Sequence, residues 1–193
     1  DEVLSALVYR IDHDAKLGKT AGVRIFSGTI SPRDSITNVT NSTAAKVSQL
    51  KKIHTRKYED IRVLGAGDIG IVCGLGNVGV GDILGSEKNV PAACSLSAPL
   101  LTVMVQPQSE ADFARLSSAL HELADEDPML GLEFLPDQRE LHLKITGWIQ
   151  IEVLESVLQE RFGLQATFSS PTVIYKETPS QAGFGFERYW MPR

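Results

Sequence analysis

The apolar residues of this 193-residue chain keep two different periods, and the change falls near residue 100. Up to that point they come in short runs rich in Val, Ile and Thr, at 3–11, 22–26, 35–39, 45–53 and 69–75. Ser27-Gly28, Ser31-Pro32, Asn41-Ser42 and the dense glycines between 65 and 85 cut between the runs. A helix needs an unbroken stretch with apolar residues three and four apart, and these breakers leave little room for one. Regular short strands with turn signals between them predict an all-β unit over residues 1–95, a closed barrel or a sandwich.

Beyond that unit the patterns predict an α+β domain over residues 99–179. Residues 100–106 alternate as a strand until Pro107 stops them. Ser109 with Asp112 three positions later makes an S-x-x-D capping box. Phe113, Leu116, Leu120 and Leu123 then repeat at helical spacing until Pro128. Residues 130–135 and 140–146 form a hairpin-like pair around Pro136-Asp137. A second helix follows over 148–162, with Ile151, Leu154 and Leu158 on one face and Gly163 placed to end it. Extended stretches at 164–168 and 172–175 complete a β-α-β-β-α-β order. This is the split βαβ, ferredoxin-like plan, with both helices on one face of an antiparallel sheet. Residues 89–99, small and bounded by proline, read as the linker. Residues 180–193 carry Phe184, Phe186, Tyr189 and Trp190. They read as the start of a further domain, with folding back over the sheet as the alternative.

Composition agrees with two packed units. Apolar residues make up 42% and charged residues 22% of the chain, ordinary globular values that let each half bury a core. No apolar run approaches the ~20 residues of a membrane-spanning helix, and no basic-then-apolar signal segment opens the chain. The start at Asp1 rather than Met predicts that sequence precedes it. Cys73 and Cys94 form no Cys-x-x-Cys pair, which fits buried thiols in a reducing cytosol rather than a disulfide framework. A net charge of −5 argues against a general nucleic-acid binder. The balance is uneven, however: residues 1–98 hold twelve Lys/Arg against ten Asp/Glu, and residues 99–193 hold seven against fourteen. The two halves present different surfaces.

Several motifs look like chemistry and lack its context. Residues 74–79, GLGNVG, match the dinucleotide fingerprint G-x-G-x-x-G, but that loop must open a helix whose N-terminus holds the pyrophosphate. The next residues, VGDILG, are a string no helix tolerates, so glycine turns between strands are expected. Gly18-Lys19-Thr20 resembles the end of a P-loop, yet His13 stands where its first glycine belongs, and a surface turn is expected. Asp125-Glu126-Asp127 suggests a metal site, but consecutive residues at a helix end diverge and no further ligand lies at useful spacing. A solvated helix end is the plainer reading. His13, His54, His121 and His142 stand isolated, and no catalytic constellation is legible. One stretch survives: Lys46, Lys51, Lys52, His54, Arg56 and Lys57 fall within a dozen residues. On an unbroken strand Lys46 and Lys52 would share one face, a plausible contact for a phosphate backbone. Simple solvation of an outer face is the alternative.

Two sets of segments carry a family resemblance. GVRIFSGTI at 22–30, GAGDIG at 65–70 and GDIL at 81–84 resemble the β-barrel second domain of translational GTPases, the elongation factor G superfamily. LTVMVQP at 101–107, ALHELADEDP at 119–128 and PTVIYKE at 171–177 resemble the ferredoxin-like third domain of the same superfamily. The two stand in the family's order and span nearly the whole chain. Elongation factor G starts the second helix of its third domain with Gly-Glu-Leu-His-Leu. The ELHL at 140–143 repeats those letters but lies in the strand before Gly147. At the helix start this chain reads GWIQIEV, a Gly-x-x-Gln-x-Glu-Val run similar to the tetracycline ribosomal-protection proteins. TVIY at 172–175 and RYWMP at 188–192 look like that group too.

The resemblance implies a parent protein that binds the ribosome with GTP and dislodges tetracycline from the small subunit. Its GTP-binding domain, with GTP and Mg, would precede Asp1, and the tip that reaches the drug would follow Arg193. The chain itself would hold no cofactor or metal and would neither bind nor hydrolyse GTP. In such proteins the barrel docks on small-subunit rRNA, and the third domain relays between the nucleotide domain and the tip while contacting a small-subunit protein. Carried onto this sequence, Lys46, Lys51, Lys52 and Arg56 become rRNA contacts. Gln150 and Glu152 become ribosomal-protein or interdomain contacts, with helix-surface solvation as the plain alternative. The expected partners are the ribosome and the parent's other domains, in the cytoplasm, with no membrane and no DNA. Elongation factor G, a translocase, is the alternative within the family. From another class, a barrel beside a ferredoxin-like domain can act as a small-molecule-sensing regulatory module.

Overall fold

A computed structural model describes residues 2–54, 57–91, 99–173 and 183–184, apart from the side chains of 53, 54 and 57. The linker residues 92–98, Cys94, Arg56, and the tail except 183–184 lie outside the described residues.

The first unit is antiparallel throughout. Its strands are β1 (Ser5–Asp14), β2 (Gly18–Ser27), β3 (Thr29–Ile30), β4 (Ser35–Asn38), β5 (Thr43–Lys46), β6 (Gln49–His54), β7 (Lys57–Ile61), β8 (Leu64–Gly65), β9 (Ile69–Cys73) and β10 (Ile83–Gly85). Eight of them run in the order β5-β4-β10-β1-β2-β9-β6-β7, and β3 pairs with β8. Val8, Ile11, Val23, Ile25, Leu50, Leu64 and Leu84 close the core, each at most 1% exposed. This is the expected barrel. The run at 45–53 is not one strand, however. It breaks at Val47-Ser48, between β5 and β6. The Val47 N–H donates to Asp34 and its carbonyl accepts from Arg33, both at 2.9 Å, while the Ser48 N–H donates to Cys73. Val47 thus bonds beside β4 and Ser48 beside β9, and this bend joins the two sides of the sheet. Gly74, at φ +95, lies so near that a Cβ would meet the Lys46 carbonyl oxygen at 2.6 Å. A side chain at 74 would therefore force the bend apart.

The glycine motifs are turns. Residues 74–82 connect β9 to β10 without a helix, and Asp82 accepts from the Gly79 N–H at 2.8 Å. Gly18-Lys19-Thr20 starts β2 after a hairpin turn in which Asp14 accepts from the Lys16 and Leu17 N–H groups. Cys73 is buried, and that burial pushes its thiol above the ordinary range.

The second unit contains β11 (Leu101–Pro107), α1 (Phe113–Glu126), β12 (Glu133–Leu135), β13 (Glu140–Ile145), α2 (Trp148–Phe162), β14 (Ala166–Phe168) and β15 (Thr172–Val173). The sheet order is β12-β13-β11-β14, with β15 also against β11, the ferredoxin-like arrangement. Val103, Val105, Leu141, Leu143 and Ile145 from the sheet meet Leu116, Leu120, Leu123, Ile151, Leu154 and Leu158 from the two helices. Both helices thus bury the stripe that their spacing predicts. Gly163 ends α2 at φ +63, with the Leu164 N–H returning to the Leu158 carbonyl.

Two local expectations fail. The capping box does not form: Ser109 makes no side-chain cap bond, and a 3-10 turn at Glu110–Asp112 precedes α1. Asp112 instead binds Arg115 at 2.7 Å, so an ion pair takes the carboxylate the cap required. The strand expected at 130–135 shrinks to β12, because Pro128–Leu130 forms a second 3-10 turn closed by Asp127. Of the stretch at 172–175, β15 covers the described residues.

Candidate nucleic-acid interface and interdomain joint

The break at Val47-Ser48 separates the basic residues that one strand was expected to align. Lys46 ends β5 at one edge of the strand order, whereas Lys51 and Lys52 sit on β6 beside the other. Lys46 and Lys52 therefore do not share a strand face. Lys46 is exposed and has no ion pair among the described residues. Lys51 is spoken for. Its ammonium lies 2.7 Å from Asp60 on β7, with the lysine side chain only 14% exposed. The Asp60 hydrogen bond holds the Lys51 ammonium above its ordinary range. Lys52 pairs with Asp68 at 2.7 Å and is more open. That lysine and then the Gly65 N–H hold the Asp68 carboxyl below the usual range. Within the basic stretch, then, Lys51 and Lys52 are compensated in place, and Lys46 has no ion pair among the described residues.

Gln150 and Glu152 divide in role. The Gln150 side-chain Oε1 accepts from the Thr146 N–H at 2.9 Å and from its hydroxyl at 3.1 Å. Gln150 thus braces the turn into α2, satisfying a donor that the helix cannot. Glu152 is exposed. It stands among Trp148, Ile149 and Val153, which are 64%, 76% and 54% exposed. Sequence reading picked the two polar residues and passed over the apolar ones. Their spacing was the signal: they fall off the Ile151/Leu154/Leu158 stripe and must face away from the core.

The acidic run is not a solvated helix end. It meets the barrel. Glu126 accepts from the His13 backbone N–H at 3.1 Å and lies 3.2 Å from the His13 ring. Asp125 pairs with Lys19 at 2.7 Å. Arg161, from α2, reaches Glu126 at 2.6 Å and also binds Glu122. Helix α1 is thus tied at its C-terminal end to the β1–β2 hairpin and to α2, and charge unfavourable to the helix dipole is answered by Lys19 and Arg161 and by the His13 hydrogen bonds. Burial works to raise the Glu126 carboxyl, but the Arg161 bonds and charge and the His13 bonds together hold it below its ordinary range. Arg161 is pushed further up, chiefly by Glu126. His13, Glu122 and Glu126 bring ligand atoms within 4.8 Å of one another, a spacing a divalent ion could bridge. The Arg161 guanidinium already lies on both carboxylates and supplies the cation.

Two family models match the chain. "Elongation factor G domain 2" covers residues 3–87 and "Elongation Factor G, domain III" covers residues 96–170. The tetracycline resistance protein TetP of Clostridium perfringens is 34% identical over 182 residues, 94% of this chain and 28% of that protein. A crystal structure of a Thermus thermophilus protein superposes with a TM-score of 0.72 at 25% identity, over 89% of this chain and 26% of the other. The chain thus spans little more than a quarter of the relatives it matches.

Proposed function

Since the chain belongs to the elongation factor G family and carries its second and third domains, we propose that it is the ribosome-docking and relay core of a tetracycline ribosomal-protection GTPase. The observation that carries this reading is the continuous match to a tetracycline resistance protein across both domains and the joint between them. In this reading the barrel lies on small-subunit rRNA, with Lys46 and Arg56 as its leading cations and with Lys51 and Lys52, already paired to Asp60 and Asp68, contributing less. The start of α2, where Glu152 stands beside an exposed apolar face, meets a small-subunit protein or a neighbouring domain, and Gln150 holds that start in shape. GTP and Mg belong to a part of the parent outside this chain, so the chain itself does no hydrolysis. Such work is done in the cytoplasm; among the described residues no helix is long and apolar enough to cross a membrane. A second reading within the family, an elongation factor G translocase, is favoured by the description of both matching domain models.

Co-sedimentation with small ribosomal subunits across a salt series tests the docking. Affinity should fall steeply as salt rises, and Lys46→Glu with Arg56→Glu should flatten that slope, by about 0.7–0.9 per lost phosphate contact. Absence of binding at low salt would sink it. Expressing the parent gene in sensitive cells separates the two readings: protection from tetracycline supports the first, rescue of a translocase defect the second.

A further inference from the structure

A groove on the barrel sets Lys52 of the basic strand beside an aromatic ring, a guanidinium and a carboxylate. It encloses about 350 Å³, with β9 as its floor and Tyr9, Arg24, Lys52 and Asp68 around it. Tyr9 lies across the β2 backbone at Gly22, so close that a Cβ there would stand 3.0 Å from the Tyr9 Cζ. Glycine at 22 is what lets the ring lie down. Even so the residue keeps 44% of its surface open, and Ile69 beside it keeps 49%. Asp68 is held by Lys52 at 2.7 Å and by the Gly65 N–H at 3.0 Å. Arg24 has no side-chain hydrogen bond or ion pair among the described residues. Two cations around one carboxylate leave the groove with one net positive charge.

An immobilised aromatic face, a free guanidinium and a fixed carboxylate suit a particular chemistry. Unpaired bases are recognised by stacking on such rings, with arginine on the phosphate and carboxylates accepting from amino groups. A groove of about 350 Å³ has room for one nucleotide. Resting on the reading that the barrel docks on rRNA, we propose that this groove seats a single unpaired nucleotide of small-subunit RNA. Its base stacks on Tyr9, its phosphate meets Arg24, and Asp68 accepts from its amino edge.

The test compares Tyr9→Leu, Tyr9→Phe, Arg24→Ala and Lys46→Glu for small-subunit binding and for chemical footprints on the RNA. Leu keeps the apolar cover over Gly22 and removes the stack, and thermal melting verifies that each variant folds. The expected result is a loss of about tenfold for Tyr9→Leu with its salt slope unchanged, near-normal binding for Tyr9→Phe, and a slope reduced by about 1 for Arg24→Ala. One unpaired base protected by the wild-type chain should become reactive with Tyr9→Leu. Wild-type affinity for Tyr9→Leu, alongside weakened Lys46→Glu, overturns the groove and leaves the docking reading standing. A lost affinity with an unchanged footprint also overturns it, because the groove would then touch protein. No binding by the wild-type chain overturns both.

Discussion

The barrel and the ferredoxin-like domain bury cores of the same kind and finish their surfaces in opposite ways. On the barrel, charged groups answer one another across neighbouring strands, as Lys51 does Asp60 and Lys52 does Asp68. On the second domain, the start of α2 leaves Trp148, Ile149 and Val153 more than half exposed. A charged surface, with Lys51 and Lys52 paired and Arg24 and Lys46 without an ion pair among the described residues, suits a polyanion. An apolar helix face suits a partner that removes it from water. The joint between the domains follows neither pattern, being held by His13, Lys19 and Arg161 around two carboxylates. One chain thus presents three kinds of surface, and each can be altered separately.

The largest effect belongs to the cores. Leu50 in the barrel and Leu158 in the second domain are both fully buried. Replacing either by Ala should cost about 2–5 kcal/mol, the transfer and cavity cost of a buried leucine. If the polar joint couples the domains only weakly, calorimetry should show two transitions, with Leu50→Ala lowering one and Leu158→Ala the other. A single transition moved by both variants would mean that the joint binds the domains into one cooperative unit.

The joint gives the intermediate effect. Glu126→Gln should cost about 1 kcal/mol, since the cluster stays partly open to water. It should also loosen the domains, seen as a longer mean distance between fluorophores placed one on each. The pH dependence has a definite sign. The Glu126 carboxyl is held below its ordinary value by Arg161 and His13, against burial. A depressed carboxylate contributes stability that is fully present above the unfolded value, about 4.3, and is lost as pH falls through the folded one. Acidification below about pH 4 should therefore open the wild-type joint, while Glu126→Gln, already open, should respond less. Equal acid sensitivity in both would assign the effect to other carboxylates.

These contrasts also explain what was legible in the sequence. Helical spacing announced α1, α2 and their buried leucines because a stripe three and four residues apart has a single packing solution. The barrel's short runs announced strands, but not the break at Val47-Ser48. That break depends on backbone bonds to Arg33, Asp34 and Cys73, and no local pattern records a bond to a residue more than a dozen positions away. The same limit hid the joint: Glu126 reads as the solvated end of a helix until His13, 113 positions earlier, arrives beside it. Ser109 failed as a cap for a local reason, because Asp112 found Arg115. Arg56 had a legible charge and lies outside the described residues.

The smallest effect on stability tests the surface contrast most directly. Trp148 and Lys46 are both exposed and far from either core, so Trp148→Ser and Lys46→Glu should each shift stability by no more than about 0.5 kcal/mol. Their effects on small-subunit binding should differ in kind. If Lys46 meets rRNA phosphate as proposed, Lys46→Glu removes a counterion-releasing contact, and its loss of affinity should be largest at low salt and fade as salt rises. Trp148→Ser removes an apolar anchor of the sort that dominates protein interfaces, so its loss should persist at every salt concentration. Parallel salt curves for wild type and Trp148→Ser, with converging curves for Lys46→Glu, would assign the barrel to the polyanion and α2 to a protein. Converging curves for both would mean that the two surfaces meet the same polyanion, and that the exposed tryptophan stacks on it.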